Sequence, residues 1–382
     1  MFLEDCPQKP GREDRSLLQS IARKAEENRV PLEAHLELTY RCNAQCVHCY
    51  CVVPPGGEES AKSQELGSDE IACLLDQLAK MGTLYLNFSG GEVFVRPDFF
   101  DIADHAKQRG FAFRVFTNGI GLTEERAHRL AALQPLTVEV SLYSADPSVH
   151  DSITRVPGSF DRLVENVSRL KALGLRVYLK TVIMKPNLSG LEKLHQLGKD
   201  LDVFTHMYGC EVSPRISGET HGPGQYQLNE GELFDYFASP VWRKQLAPLP
   251  GEPSEEAARR RLACAPAVNG CCVDPYGTVF PCIALRVPMG NIRDRSFREL
   301  WRSPPPALQQ FLALKTYADL PECPACELVD FCHRCHGDNL LERGGDWKSC
   351  HARARMAASA EHRLYQIRLQ EMEGVTHDGS MA

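Results

Sequence analysis

A chain of 382 residues is too long for one small core and fits a large domain with a smaller one beside it. Hydrophobic residues make up 43% and charged residues 24%, the balance of an ordinary globular protein, which argues against disorder. With 43 Lys and Arg against 50 Asp and Glu, the formal net charge is −7, so neither nucleic acid nor a membrane surface is an expected partner.

Met1–Gly11 is polar, with Pro7 and Pro10, and reads as a tail. Leu17, Leu18, Ile21 and Ala25 fall at helical spacing and predict a leading helix over 17–29. From there a strand-then-helix unit repeats. Ala34–Thr39 alternates as a strand and delivers the stretch Cys42-Asn-Ala-Gln-Cys46-Val-His48-Cys49. After a Pro/Gly-rich loop over 52–57, Ser68 is expected to cap a helix whose apolar stripe is Ile71, Leu74, Leu75, Leu78 and Met81. Further strands are predicted at Thr83–Phe88, Phe111–Phe116, Val138–Leu142, Arg176–Met184 and Val203–Tyr208. Helices are predicted between them at Asp98–Arg109, Thr123–Leu133, Phe160–Leu173 and Leu188–Lys199. Such a repeat implies a parallel sheet curling into a partial (β/α)6 TIM-like barrel, open on one side, with its site at the strands' C-terminal ends.

Gly209–Gly224 reads as a loop leaving the barrel, Pro248–Pro253 as a linker and Arg259-Arg260-Arg261 as a solvated helix face. Composition then shifts: nine of the sixteen cysteines lie between Cys264 and Cys350. Val273–Cys282 predicts a hairpin with its turn at Pro275–Gly277. Ala352–Leu369 predicts a terminal helix, and Gly374–Ala382 a frayed end. The expected division is 1–31 tail and helix, 32–225 barrel, 226–262 helical linker, 263–352 cysteine-rich domain and 353–382 helix and tail. With no signal peptide and no long apolar span, so many cysteines point to a reducing cytoplasm, where clustered thiols bind metal.

Three thiols spaced like Cys42, Cys46 and Cys49 can converge on one cluster, and a four-iron cluster held by three thiolates leaves one iron open to an outside ligand. A zinc site is the bland alternative, but zinc knuckles come as paired C-x2-C units. The stretch Leu36–Tyr50 resembles the radical S-adenosylmethionine (SAM) superfamily, in which a [4Fe-4S] cluster chelates SAM and cleaves it reductively to a 5′-deoxyadenosyl radical. The resemblance implies that Tyr40 and His48 lie near SAM, and that Gly90-Gly91-Glu92, followed by Arg96-Pro97-Asp98-Phe99, receives its amino group. It also implies polar contacts to SAM from Thr117 and Asn118, from Ser141, and from Arg155 and Lys180.

The spacing Cys264-x12-Gly277-x4-Cys282, then Cys323-x2-Cys326-x5-Cys332-x2-Cys335 and Cys350, resembles the SPASM extension with its hairpin, short helices and two auxiliary [4Fe-4S] clusters. The family usually has three residues where two separate Cys332 from Cys335. Its interleaved ligation implies Cys264, Cys282 and Cys335 on one cluster, and Cys323, Cys326, Cys332 and Cys350 on the other. Cys271 and Cys272 are adjacent on a predicted strand and point to opposite faces, so at most one supplies the missing ligand. The runs Val140–His150, Thr154–Phe160 and Val212–Gly218 are similar to enzymes that mature ribosomally made peptides. That implies a peptide substrate, a separate leader-recognition protein and an electron donor such as flavodoxin or ferredoxin. Enzymes acting on tetrapyrroles in haem biosynthesis share much of the pattern, and an electron-transfer protein without SAM chemistry is the non-enzymatic alternative. Sulfatase maturation is disfavoured, because Ile283 stands where that family has an aspartate. Epimerisation would need a hydrogen-donating thiol, for which Cys210 is the candidate, ahead of Cys51 and Cys73.

Overall fold

The computed structural model describes residues 12–51, 62–208, 212–216, 223–243 and 268–377. Six consecutive strands, β1 (Glu33–Thr39), β2 (Tyr85–Gly90), β3 (Ala112–Thr117), β4 (Thr137–Ser141), β5 (Val177–Val182) and β6 (Phe204–Tyr208), pair in parallel in chain order. β6 ends one edge of the sheet and does not pair back to β1, so the barrel is partial. Helices Ser68–Met81, Phe99–Gln108, Glu124–Leu133, Ser159–Ala172 and Leu191–Asp200 make the crossovers.

Period-two alternation divides the strands cleanly. Leu36, Leu38, Leu86, Phe88, Val115, Val140 and Leu179 face the helices and form the core with Ile71, Leu74, Leu75 and Leu78. Their neighbours His35, Asn87, Ser89, Arg114, Glu139 and Lys180 line the opposite face. A parallel sheet buried on both faces reads as continuous apolar runs; this sheet has one polar, concave face.

The hairpin forms from β7 (Gly270–Val273) and β8 (Thr278–Phe280). Its turn is held by Gly277 N donating to Asp274 O at 3.1 Å, and by the Asp274 carboxylate accepting from Tyr276 N at 2.9 Å and Thr278 N at 2.8 Å. Gly277 sits at φ +88, which glycine adopts without strain. β7 pairs in parallel with β1, Ala34 opposite Cys271 and His35 opposite Cys272, and β9 (Gly290–Asn291) adds beyond β8. The cysteine-rich region therefore extends the barrel's own sheet and covers the edge that β1 would otherwise leave unpaired.

Several boundaries differ from expectation. The leading helix starts at Arg12 and ends at Glu27. Gly67, not Ser68, precedes its helix, and the Glu70 carboxylate accepts from Gly67 N at 2.9 Å. A helix over Pro147–Thr154 was not foreseen; Asp146 caps it, accepting from Ser148 N at 2.8 Å. The C-terminal helix runs to His377, so Gly374 is helical rather than frayed. Its Ala360 and Leu364 pack on Leu233, Tyr236 and Phe237 of the helix Glu230–Ala238. Among the described residues no helix is long and apolar enough to cross a membrane. The expected tail Met1–Gly11, the Pro248–Pro253 linker, the Arg259–Arg261 run, Cys210 and Cys264 lie outside the described residues.

Candidate active site

The Cys42–Cys49 loop leaves the C-terminal end of β1 and is carried by the unforeseen helix: Gln45 N donates to Thr154 O at 3.1 Å and Val47 N to Ile153 O at 3.0 Å. That helix end is itself braced, the Thr154 and Ser159 hydroxyls meeting at 2.7 Å and Asp151 accepting from Gly158 N at 2.6 Å and Phe160 N at 3.0 Å. Much of the run 146–160 thus supports the cysteine loop.

Gly90 and Gly91 allow a close approach of two backbones. Gly91 N donates to Thr39 O at 2.6 Å and Glu92 N to Arg41 O at 3.0 Å, so the loop after β2 lies directly on the root of the cysteine loop. A Cβ on Gly90 would meet Thr39 O at 2.2 Å, and one on Gly91 would meet Arg41 O at 2.2 Å. Arg96 completes the brace, donating to Leu38 O at 2.9 Å and Leu66 O at 3.0 Å and pairing with Asp98 at 2.6 Å.

Glu92, expected with Gly90 and Gly91 at the SAM amino group, is held from within the protein. It is 0% exposed, and accepts from Thr117 Oγ1 at 2.8 and 3.0 Å, Asn118 N at 2.8 Å and Phe94 N at 3.2 Å. Burial raises its pKa. Its carboxylate ties the ends of β2 and β3 together, while Gly90 and Gly91 keep partial exposure. Asn118 reaches the cysteine loop, its Nδ2 lying 2.6 Å from Asn43 Oδ1 and 3.6 Å from Cys42 Sγ.

His48 packs edge-on against Tyr143, with ring centroids 4.6 Å apart, and Tyr143 stacks on His150. Tyr143 N also donates to His150 Nδ1 at 3.2 Å, a contact that sequence reasoning missed. Arg155 ends the helix in the left-handed conformation, φ +57, with its side chain exposed beside the cysteine loop. Tyr40 turns inward, its hydroxyl donating to Glu37 Oε2 at 2.8 Å. Lys180 stands on the concave face, paired with Glu139 and 3.3 Å from the centroid of the Phe116 ring. Arg114 joins the same network, meeting Glu33 at 3.3 Å and Glu139 at 3.8 Å.

Burial pushes the Cys42 and Cys46 thiols up to about 12. Among the described residues no three His, Cys, Asp or Glu side chains are close enough to share a single metal ion. Zinc needs its ligands within about 2.3 Å of one point, whereas a four-iron cluster takes each thiolate on a separate iron. Three cysteine thiols on one loop are a donor set that fits a four-iron cluster.

Two further thiol groups lie in the C-terminal region. Cys323, Cys326, Cys332 and Cys350 all line one cavity of about 270 Å³, together with Arg334 and His351. Elsewhere, Cys282 Sγ accepts from Leu285 N at 3.1 Å, and Cys335 Sγ from Asp338 N at 3.4 Å. Gly337 lies against the chain after Cys282 so tightly that a Cβ would stand 2.3 Å from Ala284 C, so the segment after Cys335 packs on the segment after Cys282. Of the adjacent pair, Cys271 is buried in the apolar core, while Cys272 faces the other way, 4.0 Å from the Arg286 guanidinium.

Comparison with known proteins matches these features. The radical SAM superfamily profile covers residues 36–198, and the SPASM profile, an iron-sulfur cluster-binding domain, covers 264–327. The chain is 30% identical over 321 residues to an AdoMet-dependent heme synthase of Methanosarcina barkeri, spanning 78% of this chain and 89% of that protein. It is also 30% identical over 311 residues to the mycofactocin maturase MftC of Mycobacterium tuberculosis, spanning 78% of this chain and 75% of the other. The fold resembles that of Streptococcus suis SuiB, solved with S-adenosylmethionine, at a TM-score of 0.66 and 16% identity, covering 90% of this chain and 83% of that one. With the precursor peptide SuiA bound, the same protein gives a TM-score of 0.62 at 16% identity, over 89% and 80% of the two chains. The chain belongs to the radical SAM superfamily, as an enzyme that uses SAM and iron-sulfur clusters and carries a C-terminal SPASM domain.

Proposed function

We propose that this enzyme modifies a ribosomally made peptide in a reducing cytoplasm. Cys42, Cys46 and Cys49 hold the SAM-binding cluster; Cys323, Cys326, Cys332 and Cys350 hold one auxiliary cluster, and Cys264, Cys282, Cys335 and Cys272 the other. When bound, SAM and its cluster supply a 5′-deoxyadenosyl radical that takes hydrogen from an unactivated carbon. The chain's own work is placement. The Gly90-Gly91 backbone edge meets the SAM amino group, the exposed Arg155 its carboxylate and Ser141 its ribose, while Asn118 donates towards the Cys42 sulfur. Glu92, Thr117, Tyr40 and His48 hold that edge and loop in position.

The observation that carries the peptide reading is the concave polar face of the open barrel. Charged Arg114, Glu139 and Lys180 are gathered on it, and among the described residues the crossover helices pack on the opposite, apolar face. That surface suits an extended polar substrate. A separate leader-recognition protein and a flavodoxin- or ferredoxin-type electron donor complete the proposed system. A maturase among the relatives and a precursor-peptide complex of the same fold support the reading. The heme synthase at equal identity favours a tetrapyrrole as the second reading.

The test is anaerobic incubation of the reconstituted enzyme with SAM, dithionite and either short precursor peptides sought among its neighbouring genes or a tetrapyrrole haem precursor. A mass change in the peptide alone is expected; a change in the tetrapyrrole alone overturns the proposal. Run in deuterated water, the assay also examines Cys210, since a returning thiol hydrogen would place deuterium on carbon.

A further inference from the structure

Glu37 is a carboxylate on the barrel's inner face with a fully buried side chain, and it has four hydrogen bonds from three residues. Oε1 accepts from Tyr50 Oη at 2.9 Å and Arg286 Nη2 at 2.8 Å; Oε2 accepts from Tyr40 Oη at 2.8 Å and Arg286 Nη2 at 3.0 Å. Tyr40 stands two residues before Cys42, and Tyr50 directly follows Cys49. Both feet of the cysteine loop are therefore fastened to one carboxylate.

The positive charge that faces this carboxylate comes from far along the chain. Arg286 lies four residues after Cys282, has a 7% exposed side chain, and rests over the Phe280 ring at 4.9 Å, with Nη1 4.0 Å from Cys272 Sγ. The Tyr40 ring also meets Tyr276 of the hairpin turn edge-on at 5.8 Å. Removing one partner of a buried ion pair leaves an uncompensated charge, which must take up a proton or water. Without Arg286, Glu37 keeps only the two tyrosine hydroxyls in a buried place, and the hold on the two feet of the loop loosens.

We propose that Glu37 and Arg286 are positioning residues through which docking of the auxiliary-cluster region sets the geometry of the SAM-cluster loop. The proposal rests on the assignment of Cys42, Cys46 and Cys49 to the SAM-binding cluster. Its consequence is that the loop cannot adopt its working shape until the hairpin bearing Cys272 and the turn bearing Cys282 have joined β1.

The test is hydrogen–deuterium exchange of the full-length protein, comparing native, Arg286→Met and Arg286→Lys chains over residues 40–51, with β3, β4 and β5 as internal controls. In Arg286→Met, exchange in 40–51 is expected to rise by about tenfold while the controls stay within about twofold. Arg286→Lys, which keeps the charge but not the planar guanidinium that also reaches Cys272, is expected to fall between. In parallel, SAM should shift the electron paramagnetic resonance signal of the reduced native protein but not of Arg286→Met. Unchanged exchange in 40–51, equal acceleration of the controls, or a Lys variant indistinguishable from Met overturns the proposal. A native protein whose signal ignores SAM instead overturns the ligand assignment, and leaves the exchange comparison standing.

Discussion

Adding one methyl group at Gly90 should weaken both the fold and the SAM site, and the size of the effect follows from two separable contributions. Gly90 sits at φ +116, a backbone region in which a non-glycine residue costs about 1–3 kcal/mol. The added Cβ would also stand 2.2 Å from Thr39 O and 3.2 Å from Thr39 C, both backbone atoms, so the end of β1 must retreat. Forcing an extra carbon into a packed place costs about 1–3 kcal/mol more. The sum, about 2–6 kcal/mol, is a large share of the roughly 5–15 kcal/mol that holds a folded domain together. Gly110 is the control: φ is +83 and nothing lies within 4 Å of its would-be Cβ, so Gly110→Ala should cost only about 1 kcal/mol. Urea unfolding of both variants, with SAM affinity measured by calorimetry, separates the two contributions. Gly90→Ala should lose the larger stability and bind SAM weakly, while Gly110→Ala binds normally. Losses within about 0.5 kcal/mol of each other would refute close backbone approach as the reason for glycine at this position.

Other expectations follow from the same geometry. Glu92→Ala leaves Thr117 Oγ1 and the amides of Asn118 and Phe94 without their acceptor, and should lower unfolding stability by about 2–4 kcal/mol. Cys272→Ala should reduce the iron content or stability of an auxiliary cluster on reconstitution, whereas Cys271→Ala, in the apolar core, should keep full iron content. His150 is 1% exposed, its Nδ1 accepts from Tyr143 N at 3.2 Å, and burial pushes its pKa down to about 4. Because the folded pKa lies below the unfolded one, its contribution is present above about pH 6.5 and is lost as pH falls towards 4, by up to about 3 kcal/mol. Urea midpoints taken across that range should fall less steeply for His150→Leu than for the native chain.

The apolar halves of the strands and helices were legible because periodicity reports which face is buried. The helix Pro147–Thr154 was missed although Asp146 and Pro147 are a usable start signal; its role, holding the cysteine loop through Thr154 O and Ile153 O, is invisible in local sequence. The hairpin and its turn were visible, but not that β7 would pair with β1, since strand partners at long range leave no local mark. Glu37 was passed over as one polar residue in an alternating strand, because its partner Arg286 is 249 residues away. Glu92 was found by its motif, but its contacts with Thr117, Asn118 and Phe94 leave no mark in the local sequence. The four cysteines Cys323, Cys326, Cys332 and Cys350 are grouped by the family resemblance, not by local sequence, and they line one cavity.

The most direct test of the account is anaerobic reconstitution with iron and sulfide, then addition of dithionite and SAM, scoring 5′-deoxyadenosine and bound metal for the native chain and a Cys42→Ala/Cys46→Ala/Cys49→Ala variant. About twelve irons in the native chain, about eight in the variant, and nucleoside from the native chain alone are predicted from three four-iron clusters. Zinc in place of iron, or nucleoside formation that survives loss of the three cysteines, would contradict it.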